Sequence, residues 1–171
     1  MAKALSETPQ IRLRPATLGD WDLIRSWLNL QEIQDWWGPA TRTEGGVLAA
    51  LKSEHALARI IEVDGCDVGY IQAVDATLWG EQLPSELPPG TWDIDLFVAD
   101  QGIRGRGVGS QALRMIRDEV FATTLAPAVC IFASVENERA IRAYERAGFA
   151  WQSVWHDPVQ GPSWFMICGR P

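Results

Sequence analysis

The segment from Trp92 to Val120 most narrows what this chain can fold into. Trp92-Asp93-Ile94-Asp95-Leu96-Phe97-Val98 alternates as a strand does, and the glycine-rich run Gln101-Gly102-Ile103-Arg104-Gly105-Arg106-Gly107-Val108-Gly109 follows it. Apolar residues then recur at helical spacing, with Val108, Ala112, Met115, Ile116 and Val120 on the inward side. Strand, glycine loop and helix in that order expose backbone N–H groups at a helix start, where the dipole favours an anion. Arg104 and Arg106 add charge suited to a diphosphate. Two nucleotide-binding patterns fail here. A Rossmann unit carries an acid about 20 residues beyond its loop, and Leu125 to Ala133 holds none; a P-loop needs Gly-Lys-Ser/Thr, which is absent.

The rest of the chain supplies strands in front of this unit and more α/β units behind it. Ile11 to Arg14 reads as a strand stopped by Pro15. A helix capped by Asp20 then places Trp21, Ile24, Trp27 and Leu28 on one face and ends at Asn29. Thr43 to Lys52 is a second helix, weakened by Gly45 and Gly46. Ala58–Val63 and Val68–Ala76 form a hairpin through Asp64-Gly65. Leu78 to Gly90, with Pro84, Pro88 and Pro89, is an irregular excursion. Ala128–Ala133 is a strand and Asn137–Ala147 a helix ended by Gly148; Phe149–Trp155 and Ser163–Cys168 are the last strands. The pattern predicts one mixed α/β domain over residues 11–171 behind a flexible tail, residues 1–10.

Composition limits the function classes. A chain of 171 residues with 47% apolar content has room for one core. Charges break every apolar run short of a membrane span, and the first ten residues lack the apolar stretch of a secretory signal, so a cytoplasmic protein is expected. Cys66, Cys130 and Cys168 are too scattered for a disulfide framework or a zinc site. The net charge of −7 argues against nucleic-acid binding. Residues 1–100 carry 16 acids against 7 bases, and residues 101–171 carry 6 against 8; the front suits a cation and the back an anion.

Arg104-x-x-Gly107-x-Gly109, followed by Asn137-x-x-Ala140-x-x-x-Tyr144-x-x-x-Gly148-Phe149, resembles the GNAT superfamily of acetyl-CoA-dependent N-acetyltransferases. Trp36-Trp37-Gly38, Gly69-Tyr70, Ile94-Asp95 and the run Arg139 to Phe149 are similar to its aminoglycoside 6′-N-acetyltransferase branch. One departure stands out. Members of that branch commonly carry Asp-Pro before the segment leading to the Asn, where this chain reads Phe132-Ala133-Ser134-Val135-Glu136-Asn137. The resemblance implies a central mixed, mostly antiparallel twisted sheet of six to seven strands flanked by about four helices. It also implies acetyl-CoA as cosubstrate, with no metal, held by Phe97, Val98, Arg104, Gly105, Arg106, Gly107, Val108, Gly109, Ser110, Asn137 and Ala140.

An amine is protonated near neutral pH and must lose a proton before it attacks a thioester, so a carboxylate at the acceptor both binds it and takes the proton. The resemblance gives that place to Asp95, and Tyr144 the role of protonating the departing thiolate. Asp93 lies on the same strand face as Asp95, about 7 Å away. Trp36, Asp75, Trp79, Asp93 and Asp95 are the expected acceptor contacts, the tryptophans standing in loops among Glu32, Asp35, Glu81 and Glu86 as fits a polycationic sugar with apolar ring faces. Asn137 doubles as a helix N-cap. The expected partner is a small cationic amine, foremost an aminoglycoside, acted on by a monomer or homodimer. Acetylation of another amine, such as a siderophore hydroxylysine or a protein N-terminus, is an alternative, as is a non-catalytic CoA-binding module.

Overall fold

The computed structural model describes residues 8–79, 83–158 and 160–171, with Trp79 described by its backbone alone. Seven strands make one sheet in the order β1-β2-β3-β4-β5-β7-β6. They are β1 (Ile11–Pro15), β2 (Ala56–Val63), β3 (Cys66–Asp75), β4 (Trp92–Val98), β5 (Ala128–Ser134), β6 (Ala150–Asp157) and β7 (Gly161–Gly169). The helices are α1 (Trp21–Leu28), α2 (Gln31–Trp37), α3 (Ala40–Lys52), α4 (Ala76–Trp79), α5 (Val108–Thr123) and α6 (Glu138–Arg146). The expected hairpin forms, with Asp64 at φ +51° and Gly65 at φ +81° turning β2 into β3. Among the described residues only β4 and β5 pair in parallel; the other neighbours are antiparallel.

Each sheet face carries its own core. On one, Ile71, Ile94 and Val129 of the sheet pack against Val108, Leu113 and Ile116 of α5, with Tyr144 of α6 joining them. On the other, Ile60, Tyr70 and Phe97 meet Ile24, Leu28, Ile33 and Val47 of α1, α2 and α3. Alternation along β4 explains the division, since Ile94 and Phe97 point to opposite sides.

Among the described residues six helices form where about four were expected. The chain leaves α1 at Asn29 and begins α2 at Gln31, so Trp36 and Trp37 stand on a helix and not in a loop. The physical reason is the spacing of Ile33 and Trp37, four residues apart on one face; Ile33 is buried and the Trp37 ring lies edge-on to Phe97 at 5.0 Å. α3 starts at Ala40 and runs through both glycines because Ala40, Val47 and Ala50 bury one face. Asp20 precedes α1 but does not cap it through its side chain. Its carboxylate instead accepts from the Thr17 N–H at 2.9 Å and from Arg14 at 2.8 Å, closing a capping box over a short 3-10 turn.

Residues 1–7 of the expected tail lie outside the described residues. Gln10 is tied to the hairpin, its N–H donating to Asp64 Oδ1 and its carbonyl accepting from the Asp64 N–H. Among the described residues, no helix is long and apolar enough to cross a membrane.

The feature that makes room for a site is the short parallel pairing. β4 and β5 register only at Trp92 with Val129 and Asp93 with Cys130. β4 stays on β3 as far as Val98, and β5 stays on β7 as far as Ser134. Beyond Asp93 and Cys130 the two strands therefore part, leaving a wedge in the middle of the sheet.

Candidate active site

The wedge opens into a cleft of about 440 Å³. Asp95, Leu96, Phe97 and Val98 line it from β4, and Phe132, Ala133 and Ser134 from β5. Residues of α2, α3 and α6 close the sides. The β4 carbonyls facing the opening are satisfied by side chains, Leu96 O accepting from Trp37 Nε1 at 3.1 Å and Val98 O from Arg104 Nε and Nη2 at 2.9 and 2.7 Å. At one end the cleft adjoins a depression of about 80 Å³, formed by Gly105, Gly107, Val108, Ser110 and Arg146 and sharing Val98, Arg104, Gly109, Arg139 and Ala143 with it.

That depression is the glycine loop. Gly107 precedes α5 in the left-handed region at φ +80°, a conformation a Cβ disfavours, and it turns the chain straight into the helix. Tight turns use the N–H groups of Arg104 and Arg106, on Gln101 O and Ile103 O. Among the described residues none accepts from the N–H groups of Gly105, Gly107, Val108, Gly109 and Ser110. With the 16-residue α5 behind them, these donors make an anion site of the kind expected from the sequence.

The side chains around the loop divide their labour differently from the expectation. Arg104 is a latch: it holds Val98 O and also Glu32 Oε1 at 3.1 Å, joining the loop to β4 and α2. The buried Ser110 hydroxyl donates to Ala143 O at 3.1 Å and fastens α5 to α6, leaving its backbone for the anion. Arg106 lines neither cavity. Arg139, which the sequence reading passed over, lines both; it is exposed and has no ion pair among the described residues. Its signal was its place in the first turn of α6, two residues past the cap. Asn137 does cap that helix, its Oδ1 accepting from the Ala140 N–H at 3.2 Å, and both residues line the cleft.

Asp95 stands on β4 opposite Gln72 of β3 in the antiparallel register. Gln72 Nε2 donates to Asp95 Oδ2 at 3.5 Å, and Gln72 Oε1 accepts from the buried Tyr70 hydroxyl at 3.0 Å. Burial pushes the Asp95 carboxyl above its usual range, and the Gln72 donor opposes that rise. Asp93 lies back along the same face and does not line the cleft; its Oδ1 accepts from the Cys130 thiol at 3.7 Å. Burial first, and then the charge of Asp95, pushes Asp93 well above the carboxylate range. Tyr144 lines the cleft from α6 and is 8% exposed. Its phenol is pushed up by burial and by the charges of Asp95 and Asp93, so it holds its proton at neutral pH.

The acetyltransferase (GNAT) domain family matches residues 17–156. The aminoglycoside N(6')-acetyltransferase type 1 of Klebsiella pneumoniae is 30% identical over 168 residues, which cover 94% of this chain and 83% of that protein. The chain belongs to the GNAT acetyltransferase family. Two solved structures agree in fold at 30% identity. Aminoglycoside acetyltransferase AAC(6')-Ib in complex with coenzyme A superposes with a TM-score of 0.81 over 94% of this chain and 95% of that one. AAC(6')-Ib in complex with ribostamycin and coenzyme A gives 0.82 over 94% of each.

Charge is unevenly spread over this GNAT cleft. Arg104 and Arg139 line both the cleft and the glycine-loop depression, while Asp35, Asp95, Arg42 and Glu32 line the cleft alone, Glu32 standing against Arg104. Glu32 is already engaged, with Arg104 and with the Gln101 amide. Trp36 lines the cleft and is 47% exposed. Asp75 is not brought to the cleft: its Oδ1 accepts from the Thr77 N–H and hydroxyl at 2.9 and 2.7 Å and starts α4. The Trp79 side chain and Glu81 lie outside the described residues. Gln72, Phe132, Ser134 and Gln160 line the cleft without having been singled out as contacts. Of these, Gln72 carried a signal, a lone amide inside the apolar run Ile71 to Val74.

Proposed function

We propose that the protein transfers an acetyl group from acetyl-CoA to the primary amine of a cationic small molecule, the 6′-amine of an aminoglycoside. The observation that carries this reading is the arrangement of Asp95 and Tyr144 in one cleft that runs into the unpartnered N–H groups of the glycine loop. Five backbone donors, the α5 terminus and Arg139 fit a pyrophosphate, and the parted edges of β4 and β5 leave an extended slot leading from there to Asp95.

Acetyl-CoA supplies the activated thioester. Asp95 holds the acceptor ammonium and takes its proton, a task favoured by a carboxyl that burial has raised toward the working pH. The free amine nitrogen attacks the carbonyl carbon, the C–N bond forms and the C–S bond breaks. Tyr144 gives its proton to the sulfur, which a neutral phenol can do and a phenolate cannot, and the second proton shed by the acetylated nitrogen restores the phenol. Asp35 and the Trp36 ring suit a polycation with apolar ring faces. A cosubstrate made inside cells puts the reaction in the cytoplasm.

Free-CoA release followed with a thiol reagent tests the reading on kanamycin, tobramycin, amikacin and gentamicin beside polyamines and hydroxylysine. Turnover confined to drugs with a free 6′-amine is expected. Turnover of hydroxylysine alone would move the enzyme to another acceptor, and binding of acetyl-CoA without its consumption by any amine would make it a binding module.

A further inference from the structure

Asp95 faces an aromatic wall. The parallel register pairs Asp93 with Cys130, so two residues further along each strand Asp95 and Phe132 stand at the same level and on the same sheet face, on opposite sides of the wedge. Phe132 is half-buried and lines the cleft. Its ring is stacked on that of the fully buried Phe165, its register partner on β7, at 5.2 Å and 16° between planes. The stack fixes the ring in place, so Phe132 is a rigid surface and not a swinging side chain. The next residue on that face of β5 is Ser134, one step toward the open end, and its Oγ already accepts from the Glu136 N–H at 3.3 Å. The polar groups at the level of the ring, Asp95 and Gln72, lie across the wedge and engage one another.

An acceptor whose amine rests on Asp95 must therefore lay the carbons beside its aminomethyl group against Phe132. Hydroxyls on those carbons lose water and find no partner on the ring, whereas methylene groups gain by the same burial. We propose that Phe132 is a specificity-determining residue that selects primary amines borne on a deoxygenated, apolar ring edge over those on a fully hydroxylated one. The inference rests on the reading that Asp95 receives the acceptor amine, and it narrows the substrate class for that same site.

The test compares kcat/KM within two matched pairs: kanamycin B with its 3′,4′-dideoxy derivative, and methyl 6-amino-6-deoxyglucoside with its 3,4-dideoxy counterpart. The deoxy member of each pair should be favoured about tenfold or more. Phe132→Asn should bring both ratios close to one, and Phe132→Leu should keep them; coenzyme A binding measured by calorimetry confirms that each variant is folded. If Phe132→Asn does not fold, Phe132→Tyr preserves the stacked ring while offering a hydroxyl, and it should lower the ratios too. Ratios near one in the wild type, or ratios that survive every polar replacement, overturn the proposal. A deoxy preference among the simple glycosides with no turnover of any aminoglycoside would uphold it while removing the aminoglycoside assignment. Equal turnover of the two kanamycins would do the reverse.

Discussion

The Gln72 amide and the Asp95 carboxylate face each other across β3 and β4, and the 3.5 Å contact between them is the outer end of a relay that begins at the buried Tyr70 hydroxyl. Tyr70 orients the amide by donating to its oxygen, which leaves the nitrogen to donate to Asp95. A donor to a carboxylate favours its ionised form, so this contact opposes the rise that burial imposes. In Gln72→Leu the opposition is gone and the Asp95 carboxyl rises further. Because Asp95 acts as the base, the acid limb of the kcat/KM profile should move to higher pH, with about a tenfold loss near neutrality. Tyr70→Phe should move the limb the same way by less. A pH profile of each variant checks this, and an unmoved limb would show that the amide only fills space.

Tyr144 tests the other half of the chemistry. Among the described residues its hydroxyl has no hydrogen-bond partner, while its ring packs in the core beneath α5 and α6. Tyr144→Phe keeps the ring and removes the proton, so stability and the KM for acetyl-CoA should change little while kcat falls about 100-fold. Burial and the two acids hold the phenol above its ordinary value, and the wild-type rate should show no alkaline decline from this group below pH 10. Steady-state kinetics from pH 6 to 10 on both proteins decides between an acid and a core aromatic.

How much of this was legible beforehand follows from what kind of force fixes each part. The glycine loop, α5, the hairpin at Asp64-Gly65 and the cap at Asn137 are set by local chemistry, and residue types alone revealed them. Asp95 and Tyr144 became visible together only through a resemblance, since a strand acid and a helical tyrosine are each unremarkable alone. What stayed hidden depends on tertiary contact. α2 is held by Ile33 and Trp37 packing on a strand some 60 residues away, and local propensity carries no trace of that. The same holds for Arg104, whose charge suggested a phosphate but whose partners are a carbonyl of β4 and a carboxylate of α2. Asp75 and Asp93 are expected acceptor contacts, Asp93 from its strand face, yet one caps a short helix while the other lies behind the cleft against a thiol.

Asp93 makes a prediction about stability. Burial and the charge of Asp95 raise its carboxyl well above the usual range. For a raised acid the folded state binds more protons than the unfolded one, so stability is greatest below the unfolded value, near 4, and is lost as pH rises toward the folded value. At neutral pH the wild type bears that loss, and Asp93→Asn does not. The variant should melt higher than the wild type at pH 7.5, by roughly 2 °C or more, and the gain should shrink as the pH is lowered toward 4. Thermal denaturation at a series of pH values measures it; a gain that grows on acidification would reverse the assignment.

Gly107 and Gly65 separate the function of a glycine from its conformation. Both hold positive φ, +80° and +81°, and a Cβ built on either meets no atom within 4 Å, so alanine costs each only its backbone strain, about 1 kcal/mol. Each substitution should therefore lower the melting temperature by a similar 2 to 4 °C or so. Their surroundings differ. Gly65 turns a hairpin and lines neither cavity, whereas Gly107 sets the direction of the unpartnered N–H groups ahead of α5. Gly107→Ala should raise the KM for acetyl-CoA about tenfold and leave kcat at saturation within about twofold, as loss of pyrophosphate binding alone requires. Gly65→Ala should leave both constants unchanged. Equal kinetic effects from the two variants would mean that the loop acts through overall stability and that the pyrophosphate is held elsewhere.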